Sequence, residues 1–93
     1  MHNEPLLPGV DELDHINDSL KTYAHRYGQM ILRDDFTADM AQARVREVNR
    51  KLGAVPPGVG VRPNLVGERE RWERIQSLLE RKAQLQSVDS DNN

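Results

Sequence analysis

The sequence predicts an all-α protein, and three observations predict it. Apolar residues recur at alternating spacings of three and four in separate stretches, the spacing of an amphipathic helix. Helix-capping residues and a Pro/Gly-rich segment bound those stretches. Only 4% of residues are aromatic, so the core must be mainly aliphatic. The expected architecture is an antiparallel helical hairpin, over about 10–32 and 37–52. A linker at 53–64 then leads to a third amphipathic helix over about 65–87. Residues 1–9, with two prolines and a glycine, read as an irregular arm, residues 10–87 as one small domain, and residues 88–93 as a disordered tail.

The first helix is defined by Leu13, Ile16, Leu20, Tyr23, Tyr27 and Met30, a heptad-like stripe widened by Ala24 and Ile31. Asp11, Glu12 and Asp14 sit in its first turn, where carboxylates complement the positive end of the helix dipole. Gly28 interrupts it at a cost of about 1 kcal/mol relative to Ala. Residues 33–36 form a short break, and Thr37 is an N-cap for the second helix, with Asp39 in the first turn. Phe36 precedes that cap and Ala41 follows it at the spacing of a hydrophobic staple. The second stripe is Ala41, Val45, Val48 and Leu52, narrow and low in bulk, and Gly53 is placed to end the helix. So short a break predicts that these two helices pack antiparallel.

The linker GAVPPGVGVRPN holds three prolines and three glycines. Its Pro-Pro pair favours an extended polyproline-type path. The third helix places Trp72, Ile75, Leu78, Leu79 and Leu85 on one arc, with Arg69, Glu73, Gln76, Glu80 and Gln84 opposite.

The totals narrow the function. Ninety-three residues make one small domain with a marginal core. No cysteine means no disulfide framework and no thiolate metal site. No apolar run approaches the ~18 residues of a membrane span. The opening MHNEPLLPGV has no basic or apolar region of the signal-peptide kind, so a cytoplasmic location is expected. The net charge of −2 hides a division: residues 1–40 carry three cations and eight carboxylates, and residues 41–86 carry ten cations and five carboxylates.

Chemical motifs are sparse. His2, His15 and His25 have no metalloprotease-type spacing, so no metal or other cofactor is expected. Asp34 and Asp35 are explained as turn residues. There is no Gly-x-Ser-x-Gly motif, and the glycines of GVGVRPNLVG do not match a phosphate-binding loop. The stretch VDELDHINDSL, residues 10–20, is similar to the opening of the all-helical chorismate mutases. That family holds a dicarboxylate with inward-facing Arg and Lys of the first helix and loop. Here Lys21 and Arg26 lie off the apolar stripe, and the resemblance goes no further. A catalytic role and a small-molecule substrate are not expected.

Two non-catalytic roles remain. The leading expectation is a helical interaction protein, an adaptor, regulator or assembly factor binding a protein partner or itself. Trp72, Ile75 and Leu79 are its expected partner-binding residues: the second helix offers little bulk to cover the first, and the third follows a long Pro/Gly linker and carries the only Trp, a residue common among interface anchors. The alternative is a DNA-binding regulator. Arg46 and Arg50 point away from the second stripe and Arg62 follows, a basic surface suited to phosphates, behind a helix-turn-helix-like break at 33–36.

Overall fold

The computed structural model describes the backbone of residues 10–91 and the side chains of residues 11–86. The arm expected at 1–9 lies outside the described residues, as do positions 92 and 93. The class is all-α: helix α1 (Val10–Tyr27), a 3-10 turn (Gln29–Leu32), α2 (Ala38–Ala54) and α3 (Arg62–Asp91), with no strand among the described residues.

Helix α1 ends at Tyr27, short of the expected residue 32. The cause is Gly28, whose φ of 111° and ψ of 158° are open only to glycine. Its N–H still donates to the Ala24 carbonyl at 2.8 Å, closing the last helical turn before the chain departs. No atom lies where a Cβ would stand, so a side chain here meets conformational strain and no clash. Gly28→Ala is expected to cost about 1–3 kcal/mol, read from urea unfolding. A stability equal to wild type would show that the chain turns at this point without that conformation.

The early ending lengthens the connection to α2. Residues 28–37 run back along α1, so that Leu32 and Asp34 line a cleft shared with Asp14 and Asp18. Ile31 on the 3-10 turn is completely buried. Thr37 then caps α2, its hydroxyl accepting from the Met40 N–H at 3.4 Å. The α2 stripe is buried as its spacing predicts, at Ala41, Val45, Val48 and Leu52.

The pairing of helices differs from the expected hairpin of the first two. Phe36 and Ala38 lie beside Leu79 and Ala83, Arg44 lies over Trp72, Asn49 meets Arg69, and Leu52 meets Arg62. Helix α2 therefore runs antiparallel to α3. Helix α1 does the same, with Glu12 at Arg81 and Tyr27 at Glu68. Both helices flank α3 and run parallel to each other, and their backbones do not approach closely. The return segment makes this possible, because it carries the chain back before α2 begins.

The linker is compact and not extended. Pro56–Val59 form a β-turn closed by the Val59 N–H donating to the Pro56 carbonyl at 3.3 Å. Pro57 precedes Gly58, whose φ is 87°, the combination of a type II turn. Gly53 stays helical, and α2 is closed instead by Arg62. The Arg62 guanidinium donates to the Leu52 carbonyl at 3.1 Å and the Val55 carbonyl at 2.9 Å.

Helix α3 starts at Arg62, with Pro63 in the first turn, where its missing N–H costs nothing. It continues to Asp91 and so includes residues 88–91, which the sequence assigned to a tail. Its 30 residues make it about 45 Å long, the spine on which the rest is laid.

Candidate functional site

The largest correction concerns the expected partner-binding residues. Trp72, Ile75 and Leu79 are only 5%, 0% and 5% exposed. They sit in a single core with Ile16, Leu20, Ile31, Val45, Val48 and Leu52. Helix α2 is indeed thin, but α1 and the 3-10 turn cover the α3 face with it. The apolar faces of the three helices are largely spent within the molecule.

Trp72 is enclosed by two aromatic rings and a guanidinium. The Tyr27 ring lies 4.5 Å from it between centroids, the Phe36 ring 6.5 Å, and the Arg44 guanidinium 5.7 Å above its face. At the rim, Arg71 Nε donates to the Tyr27 hydroxyl at 2.8 Å, and that hydroxyl donates to Glu68 at 3.0 Å. Arg71 also donates to Glu68 at 2.8 Å, and Arg26 reaches the same carboxylate oxygen at 3.4 Å. Sequence reasoning missed this network. The Glu68–Arg71 spacing is visible on a helix, but Tyr27 reaches it only through the fold.

Burial pushes the Glu68 carboxyl up, while hydrogen bonds from Arg71 and Tyr27 and the charges of Arg71 and Arg26 pull it down. The net result lies below the ordinary value. The Arg71 guanidinium is held correspondingly more basic, first by its bond to Glu68 and then by that to Tyr27. A carboxylate lowered in the folded state contributes stability that is present above its unfolded pKa of about 4.3 and is lost as pH falls through the folded value. Glu68→Gln is therefore expected to lessen the loss of stability on acidification below about pH 4, measured by urea unfolding at a series of pH values. An acid limb identical to wild type would show that the network does not hold Glu68 ionised.

The outward surfaces are charged and biased by sign, although Lys21 and Arg26 share α1 with its carboxylates and Asp39 and Glu47 share α2 with its arginines. Asp11, Asp14 and Asp18 are exposed on α1, opposite its buried Ile16, Leu20 and Ala24. Asp18 has a loose 3.9 Å contact with Lys21, and Asp11 and Asp14 have no ion pair among the described residues. Beside them lies a cleft of about 540 Å³ between α1, the return segment and α3, lined by Asp14, Asp18, Asp34, Lys21 and Lys82 among others. On the other flank, Arg46 and Arg50 are exposed one turn apart on α2, with Lys51 next to them. None of the three is in an ion pair among the described residues. Arg62, expected to share this anion-contacting role, is instead occupied in capping α2.

Val59 and Val61 are 41% and 51% exposed on the linker turns. Val59, with Pro63 and Val66, borders a shallow apolar groove of about 370 Å³. Among the described residues no group of His, Asp or Glu is placed to hold a metal ion, and no helix is long and apolar enough to cross a membrane.

The fold and these surfaces define an all-α protein of three helices with charged flanks. No protein-family model, no curated protein and no solved structure matches the chain.

Proposed function

We propose that this chain is a non-catalytic helical interaction protein, an adaptor, regulator or assembly factor acting in the cytoplasm. The carrying observation is the division of labour in its surface. The apolar helix faces are consumed by the core, and the outward faces of α1 and α2 present unpaired charges of opposite sign. Complementary charge speeds encounter and selects partners. Binding falls to these faces, in place of the Trp72 face that the periodicity suggested. The test is retention of macromolecules from cells of the source organism by the tagged chain. A partner held at low salt and released by Arg46→Glu/Arg50→Glu or by Asp14→Lys/Asp18→Lys is expected. Retention of nothing at low salt, neither protein, nucleic acid nor a second copy, contradicts the proposal.

Arg46 and Arg50 also favour a second reading, a DNA-binding regulator, since free arginines one turn apart suit phosphate contacts. That reading requires retardation of duplex DNA at about 50 mM salt and its steep loss as salt rises. No retardation at low salt removes it.

A further inference from the structure

We infer that the partner is a second copy of this chain: the Arg46–Arg50 face of α2 docks on the acidic flank formed by α1 and the return segment of another molecule. This rests on the interaction reading and adds the identity and polarity of the contact. Residues 10–37 carry six carboxylates against three cations, and residues 38–54 carry four cations against two carboxylates. Each flank therefore offers the charge that the other lacks.

The fold keeps the two apart within one molecule. Helices α1 and α2 both pack on α3 without their backbones approaching each other, and their charged faces point away from the shared core. Among the described residues Arg46 and Arg50 form no ion pair with Asp11, Asp14 or Asp18 of the same chain, but a neighbour presents them. The acidic side also has room: the cleft of about 540 Å³ beside Asp14, Asp18 and Asp34 can admit long guanidinium side chains. Lys21 and Lys82 share that cleft and temper its charge. Exposed pairs are individually weak, so several must act together, and the contact is weak and sensitive to salt.

The two flanks are different surfaces, so the contact is heterologous. Such contacts grow into open chains or closed rings and do not stop at a two-fold dimer. This gives a test with an uncommon signature, molar mass by light scattering. Wild type is expected to exceed its chain mass of 10.6 kDa, increasingly with concentration, at about 0.01 M salt, and to return to it near 1 M, where screening is short-ranged. Arg46→Glu/Arg50→Glu and Asp14→Lys/Asp18→Lys are each expected to stay at 10.6 kDa while keeping wild-type helicity by circular dichroism. Mixed in equal amounts, they are expected to exceed 10.6 kDa again, because the basic face of one meets the acidic flank of the other and the two reversed faces are complementary in turn.

Wild type at 10.6 kDa under all conditions would overturn the inference, as would a folded mixture that fails to pair. If that monomer nevertheless retains another protein, the interaction reading stands and only self-docking falls. If it retains duplex DNA, and Arg46→Glu/Arg50→Glu abolishes this, the α2 face belongs to nucleic acid and self-docking is again overturned.

Discussion

Trp72→Ala is expected to destabilise the whole fold by about 3–5 kcal/mol, half or more of what a small domain possesses. The indole is 5% exposed and touches the rings of Tyr27 and Phe36, so truncation removes contacts to α1 and to the segment before α2 together. Urea unfolding followed by circular dichroism is expected to show a much lower midpoint. The same substitution is what a partner-anchor role for Trp72 would have singled out, and the outcomes separate. A variant with the wild-type midpoint that no longer associates would return Trp72 to the interface. A fold close to collapse places it in the core.

Ile31→Ala is expected to cost about 2–5 kcal/mol, the usual range for emptying a buried aliphatic site. This effect is large for a residue on a four-residue 3-10 turn. A connecting segment ordinarily tolerates truncation well, because it covers little apolar surface. Here the turn lies between α1 and α2 and supplies a fully buried side chain to the shared core. If Ile31→Ala unfolded at the wild-type urea concentration, residues 28–37 would be a passive link and the core would be held by the helices alone.

The sequence made the helices legible and left their arrangement obscure. The α2 stripe could be read residue by residue, since Ala41, Val45, Val48 and Leu52 are all buried and Thr37 caps the helix. Periodicity shows that each helix has an apolar face but not which neighbour that face meets. Gly28 decided the rest. Read as a tolerated interruption, it left a short break that forced a hairpin of α1 and α2. In its observed conformation it ends α1 early, and the longer return lets both helices lie on α3. Arg62 was legible as a cation but not as a cap, because the carbonyls of Leu52 and Val55 reach it only after the Pro57–Gly58 turn reverses the chain. The long linker and the single tryptophan pointed to an outside partner for Trp72, Ile75 and Leu79. The missing cover is α1 and Ile31 of the same chain. The charged flanks were visible as a division along the sequence. Only the fold shows that they sit on helices whose backbones do not approach, since both pack on α3 and not on each other.

The central claim is that the apolar faces are closed inside each molecule while recognition is left to charge. The sequence contains a single tryptophan, so acrylamide quenching of its fluorescence tests that claim directly, at low salt and again at high salt where copies separate. Strong and equal protection of Trp72 in both conditions is expected. Protection at low salt that gives way to the fast quenching of a solvent-exposed indole at high salt would contradict the claim, because Trp72 would then be buried by a partner and not by its own core.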